Sequence, residues 1–181
     1  MITANQIRPL LRAAVDRQVA DDLEAHVQGL RARREPLSLG VEDLDRILTW
    51  KLRGQYGRQQ KLRAENTEGV VRAMTGTAFA IQHENPEYEI ELKVNVLCAL
   101  RGVGVPVASA ILAIVEPVQY GVIDFRGWRQ MFGEKKTNFS VADYKRYMAE
   151  LRRLARELGW RVRDVDEAVW EFDRRENGGR D

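Results

Sequence analysis

The stretch from Leu97 to Val115 reads LCALRGVGVPVASAILAIV. An apolar helical segment is broken at Gly102-Val103-Gly104 and resumes at Val105, which predicts two helices joined by a tight turn. Gly102 can take a positive φ angle and end the first helix, while Gly104 leaves room for a close approach to the backbone. Pro106 suits the first turn of the second helix, where its missing N–H costs nothing.

Most of the remaining chain also has apolar residues at helical spacing, and no segment alternates apolar and polar residues as a half-buried strand would. We therefore predict an all-α fold. Residues 1–175 are expected to form one compact helical domain, or two small helical lobes, around the helix-hairpin-helix at 97–115, with a frayed charged tail at 176–181. The predicted helices are at about 3–17, 18–34, 41–53, 66–82, 87–100, 105–115, 125–132, 140–158 and 163–175.

The composition excludes several classes of protein. The single cysteine, Cys98, rules out an internal disulfide, a cysteine zinc cage and a four-cysteine iron–sulfur cluster within one chain. His26 and His83 lie far apart without a ligand pattern, so we expect no metal site. The longest uncharged stretch, Gly102 to Val115, is too short and too rich in Gly and Pro to span a bilayer, and no apolar signal segment begins the chain. These features predict a cytoplasmic protein without a membrane partner, associated with the nucleoid or located in the nucleus according to the organism.

Positive charge concentrates in residues 46–63, which we call the basic segment. The net charge of the chain is only +2, yet this segment has six cations and no acidic residue. Trp50 and Tyr56 are interleaved with the cations, a pattern that suits a polyanion with flat bases. The alternative is a solvated helix face with both rings in the core. The six cations are Arg46, Lys51, Arg53, Arg58, Lys61 and Arg63.

The predicted hairpin offers backbone N–H groups at the positive end of its second helix, which can bind an anion such as a DNA phosphate without a basic side chain. A purely structural pair of helices would have the same turn. The residues that follow favour the first interpretation.

Those residues resemble the helix-hairpin-helix DNA glycosylase superfamily over roughly Leu97 to Phe132, about a fifth of the chain. The resemblance implies that a phosphate contacts the backbone of the hairpin, that no cofactor is needed beyond a monovalent cation at this backbone, and that Asp124 occupies the position of the catalytic aspartate. The phosphate contacts would be at Gly102, Val103, Gly104 and Val105. The matching residues are Leu100-Arg101-Gly102-Val103-Gly104, Ala108, Leu112 and Tyr120-Gly121-Val122-Ile123-Asp124, followed by an arginine-bearing helix.

The resemblance also implies a branch of the superfamily. Pro106 stands where members that form a Schiff base have a lysine, so the chain resembles the monofunctional branch and we expect no covalent lysine intermediate. The iron–sulfur cysteines of several members are absent. Phe125-Arg126 replaces the commoner threonine-histidine pair after the aspartate, a departure that bears on the activity more than on the fold.

The predicted function is therefore that of a protein that binds double-stranded DNA and hydrolyses the N-glycosidic bond of a damaged or modified base with Asp124. Lys51, Arg53 and Arg58 are predicted to contact DNA. The base pocket is expected to include some of four rings, those of Trp50, Tyr56, Tyr120 and Trp128.

Two other functions stay open. The chain could be a non-catalytic DNA-binding module or a subunit of a repair or defence assembly, or it could bind a protein whose acidic surface meets the basic segment. Asp124 has an explanation without catalysis, because an aspartate directly before a helix is a common N-cap. The sequence does not specify the target base.

Overall fold

The computed structural model describes residues 2–178, and every regular element in this range is helical, which confirms the all-α prediction. Short 3-10 turns lie at Arg8–Leu10 and Arg53–Gln59. The α-helices are α1 (Ala4–Ile7), α2 (Arg17–Arg31), α3 (Val41–Leu52), α4 (Gln60–Arg63), α5 (Glu68–Ala80), α6 (Pro86–Cys98), α7 (Val105–Val115), α8 (Phe125–Phe132), α9 (Val141–Leu158) and α10 (Val162–Asn177).

Helix α7 is the centre of the fold. Every side chain from Val107 to Val115 is buried, and the helix contacts α2, α3, α6 and α9. A helix that is apolar on all sides must be covered on all sides, which explains this position. Nearly all the buried apolar side chains of the described residues form one cluster around it. Within residues 2–178, no helix has the length and apolar composition needed to cross a bilayer.

Local sequence signals set the ends of α9. Ser140 is the N-cap, and its hydroxyl accepts a hydrogen bond from the Asp143 N–H at 3.2 Å while the Asp143 carboxylate accepts one from the Ser140 N–H at 2.8 Å. The helix ends at Gly159, which has φ +70°. The buried face of α9 then packs against α1, α6, α7, α8 and α10.

Helices α8 and α10 are joined by Asp173, whose side chain is fully buried. Its carboxylate accepts hydrogen bonds from Arg129 at 2.6 and 2.9 Å, from Gln130 at 2.7 Å and from Arg126 at 3.2 Å. Charge-assisted hydrogen bonds of this kind satisfy a buried carboxylate. They fix α8, which follows Asp124, against α10.

The observed helices differ from the predicted ones near both ends of the chain. The helix predicted at 3–17 is only the single turn α1 and a 3-10 turn, because Pro9 has no N–H to continue an α-helix and Arg12 has φ +58°. The tail predicted to fray from 176 is still helical through Asn177, whose side-chain amide donates to Asp173 at 3.0 Å. Residues 179–181 of that predicted tail lie outside the described residues.

Candidate functional site

The loop between α7 and α8 ends at Asp124, and each of the three residues before Asp124 is held by a side chain from a different helix. Because three helices fix three successive peptides, the loop has one defined path into α8. The hydrogen bonds run from Tyr144 Oη of α9 to Gly121 O at 3.0 Å, from Val122 N to the Asp166 carboxylate of α10, and from Ile123 N to Ser109 Oγ of α7 at 3.1 Å.

Asp124 is the N-cap of α8, and its Oδ1 accepts a hydrogen bond from the Gly127 N–H at 2.9 Å. Capping is therefore one role of this side chain. The side chain is also 21% exposed, so that part of the carboxylate remains accessible.

Lys51, at the end of α3, brings an amine to this carboxylate. Its Nζ lies 3.9 Å from Asp124 Oδ2 and 3.4 Å from the Ile123 carbonyl oxygen, and only 13% of the side chain is exposed. Burial lowers the pKa of the Lys51 amine, while the negative charges of Asp124 and Asp166 oppose the shift. Lys51 was predicted from the sequence as a DNA contact, but its amine faces Asp124.

Asp166 is a second carboxylate behind Asp124. It accepts hydrogen bonds from Tyr147 Oη at 3.1 Å and from Arg163 Nη1 at 2.8 Å. Burial raises the pKa of Asp166 to about 6, and the charge of Asp124 adds to this shift, whereas Arg163 and Lys51 oppose it. The site therefore contains two acidic and two basic groups, which come from α3, from the N-cap of α8 and from α10.

The basic segment lies against the hairpin. The Asn66 side chain, just after the segment, donates to Arg101 O at 2.9 Å and accepts from Arg101 N at 3.0 Å. The aliphatic stem of Arg63 covers Gly102, and the guanidinium of Arg63 stacks 4.5 Å from the ring centre of Tyr56. Two segments that are about forty residues apart in sequence therefore form one continuous surface.

The cations of the basic segment differ in what they can offer to DNA. Arg53 pairs with Asp16 and stacks over Trp170, with 5.0 Å between the guanidinium carbon and the ring centre. Arg58 and Lys61 are exposed, and neither forms an ion pair with another described residue. Those two side chains are the most available for a phosphate.

The four hairpin residues that the resemblance assigned to phosphate binding are not equivalent. Gly102 has φ +75° and is covered by Arg63, and the Val103 N–H is already bonded to Leu100 O at 3.1 Å. By contrast, Gly104 is exposed at the start of α7. Across the described part of the chain, the N–H groups of Gly104 and Val105 have no acceptor. The N–H groups available to a phosphate are therefore those of Gly104 and Val105, and phosphate binding by the hairpin backbone stays a prediction.

Two of the four predicted pocket rings are core residues. Tyr120 is 0% exposed, with its hydroxyl bonded to Glu89 at 2.9 Å, and Trp128 is 1% exposed and packs against Phe132 and Phe139. Because both rings pack within the hydrophobic core, neither is accessible to a base in this structure, and the candidates for the pocket narrow to the other two rings.

The other two rings are only partly buried. Trp50 lies under the Arg163 guanidinium at 5.2 Å, and its buried Nε1 has no hydrogen-bond partner among the described residues. Tyr56 lines a cleft of about 220 Å³, together with Leu48 and Arg63. Both therefore remain candidates for contact with a base.

The sequence analysis missed Asp166, Arg163 and Tyr147. Asp166 and Arg163 had one local signal. They are charged residues among the apolar residues of an amphipathic helix, which are Val162, Val165 and Val169. Buried charges of this kind are rare unless they are paired. Tyr147 has no such signal, since an aromatic residue on the apolar face of α9 is ordinary core.

Comparison of the chain with protein-family models, with curated proteins and with solved structures found no match.

Proposed function

We propose that this protein binds double-stranded DNA and cleaves the bond between a sugar and a damaged or modified base, with Asp124 as the catalytic carboxylate. The observation that carries the proposal is the hydrogen bond between Ser109 Oγ and the Ile123 N–H. Helix α7 begins at the hairpin, and its Ser109 holds the residue before Asp124. A duplex bound at the hairpin would therefore lie at a fixed distance from the carboxylate, as catalysis by positioning requires.

The chemistry needs little more than this carboxylate. As the base leaves, positive charge develops at C1′, and a negative group beside the sugar stabilises that state or orients a water molecule. Asp124 keeps one oxygen in its capping bond to Gly127, and the partly exposed side chain leaves the other available to a sugar.

Two features support DNA as the partner. The N–H groups of Gly104 and Val105, which have no acceptor among residues 2–178, suit a phosphate oxygen, and exposed Arg58 and Lys61 add charge on the adjoining basic segment. The target base must leave the stack to reach Asp124, and Trp50 and Tyr56 are the candidate contacts for it. Pocket shape decides which base is accepted.

The test uses the purified full chain and a panel of duplexes, each with one altered base, and measures abasic sites as strand breaks after alkali treatment. Asp124→Asn retains capping ability but loses the charge, so we expect a folded protein that binds DNA at least as well and loses about 100-fold or more in turnover. Asp143→Asn is the matched control, since Asp143 also helps to cap a helix, and it should retain full activity.

Full activity in Asp124→Asn would leave Asp124 as a helix cap. Salt-sensitive binding to every duplex without release of any base would favour the non-catalytic DNA-binding module. Binding that is insensitive to salt would contradict a DNA interface altogether.

A further inference from the structure

Two lysines of this chain are largely buried, and their surroundings differ. Lys93 has 3% of its side chain exposed, and its Nζ lies 3.1 and 3.2 Å from the two carboxylate oxygens of Glu116 and 3.2 Å from Glu89. Three short contacts can satisfy the three N–H donors of an ammonium group. Lys93 therefore forms structural ion pairs with Glu116 and Glu89.

Lys51 lacks such a set of partners. Among the described residues, its amine has one acceptor, the Ile123 carbonyl at 3.4 Å, and the Asp124 carboxylate is 3.9 Å away, beyond hydrogen-bond distance. Burial is the main cause that favours the neutral amine and lowers the pKa of Lys51, the charges of Asp124 and Asp166 oppose it, and the positive charges of Arg163 and Arg53 add to it. A buried amine with few partners is the form in which lysine acts as a nucleophile.

We propose that Lys51 is the nucleophile of this site, and that its amine forms a covalent imine with C1′ of the target sugar while Asp124 carries the proton. This inference rests on the proposed function, because it needs the sugar beside Asp124. It departs from the expectation drawn from Pro106, since the amine comes from α3 and not from the hairpin.

The steps balance without an oxidant or a reductant. The Nζ lone pair forms a bond to C1′ as the bond from C1′ to the base breaks, and the base leaves with that electron pair and takes a proton from water. Asp124 removes a proton from the Nζ ammonium and passes it to O4′ as the bond between C1′ and O4′ opens, which leaves a protonated imine between Nζ and C1′. Water then adds to C1′ and releases the amine, so the net reaction remains hydrolysis.

The short distance between Lys51 and Asp124 supports the assignment of Lys51 as the nucleophile and of Asp124 as the group that transfers the proton. Asp124 Oδ2 is close enough to Nζ to receive a proton after a small movement, while Asp124 Oδ1 stays anchored on the Gly127 N–H at 2.9 Å. The hydrogen bond that Lys51 Nζ donates to Ile123 O at 3.4 Å orients the amine.

The test is trapping on a duplex with a single abasic site, whose C1′ is already an aldehyde, in the presence of sodium borohydride. The hydride reduces an imine to a stable secondary amine, and peptide mapping of the unaltered full chain then identifies the linked residue. We expect an adduct at Lys51. Lys51→Arg should reduce the adduct to less than about a tenth of the parental yield, since a guanidinium is not a nucleophile at neutral pH.

Lys93→Arg is the matched control, because it changes the other buried lysine and should leave the yield unchanged. No adduct, or an adduct only at another amine of the unaltered chain, would overturn the inference, whether or not the variants fold. Base release that depends on Asp124 but leaves no adduct at Lys51 would retain the proposed function alone. An adduct at Lys51 with no base released from any duplex would instead refute the proposed glycosylase activity, because the abasic duplex needs no base release.

Discussion

The aliphatic stem of Arg63 lies across Gly102, so that a Cβ atom added at Gly102 would be 2.5 Å from Cγ of Arg63. Gly102 also has φ +75°, a conformation that other residues rarely adopt. Both the Arg63 contact and the positive φ angle require glycine at position 102, whether or not the hairpin binds DNA. Gly104 is different, since a Cβ added there would meet nothing closer than Pro106 Cδ at 3.9 Å.

This contrast predicts separate effects for the two hairpin glycines. Gly102→Ala should lower the free energy of unfolding by about 1–3 kcal/mol, because the positive φ angle and the Arg63 stem both oppose the new side chain. Gly104→Asn should change it by less than about 0.5 kcal/mol, since asparagine is a good N-cap at this extended position. Urea unfolding of both variants checks these values.

Gly104→Asn should nevertheless weaken DNA binding several-fold, because the added side chain occupies space that a phosphate needs to approach the N–H groups of Gly104 and Val105. The measurement is the affinity for a plain duplex at fixed salt. An unchanged affinity in the folded variant would remove the hairpin from the interface.

The basic segment should contribute to DNA binding through Arg58 and Lys61. Arg58→Ala and Lys61→Ala should each reduce the salt dependence of binding, the slope of log K against log salt, by about one. Lys51→Ala should leave this slope unchanged, because its amine faces Asp124. Arg153→Ala is the control. Because Arg153 pairs with Glu150 and Glu157 on α9, its removal should leave the salt slope unchanged. Parental slopes in both Arg58→Ala and Lys61→Ala would assign the segment to a solvated face.

Asp166 should make the protein less stable as the pH rises. Burial raises its pKa from 3.8, the ordinary value for an aspartate, to about 6 in the folded chain. The folded state therefore binds more protons than the unfolded state between these two pH values and loses that advantage as the pH rises through 6. The full difference corresponds to on the order of 3 kcal/mol. Asp166→Asn cannot ionise, and its stability relative to the parent should rise by about 2 kcal/mol between pH 4 and pH 7.

Urea unfolding across this pH range measures the effect, with Asp164→Asn as the control. Burial alone would raise the pKa of Asp164, but hydrogen bonds from Arg161 and Arg17 lower it to about 2, which puts its titration below the range. A stability difference between parent and Asp166→Asn that stays constant from pH 4 to pH 7 would mean that Asp166 is ionised throughout.

Local patterns were sufficient for much of the fold. The run of apolar residues through Val115 predicted α7, the glycines predicted the turn before it, and Ser140 with Gly159 predicted both ends of α9. These features depend on backbone conformation and on the periodicity of neighbouring side chains, which are properties of a short segment. The same reasoning correctly predicted Asp124 as the residue before a helix.

The composition of the site depended on contacts between distant segments. Lys51 looked like one more cation of a basic run, and only the packing of α3 against α7 brings its amine to Asp124. Tyr120 and Trp128 looked like rings available to a base, yet they lie in the core. The sequence by itself determined where most of the longer helices begin and end, because hydrogen bonding and capping act within a few residues. Only the tertiary structure decided which charges face one another and which rings stay accessible, because burial depends on every helix that packs around a side chain.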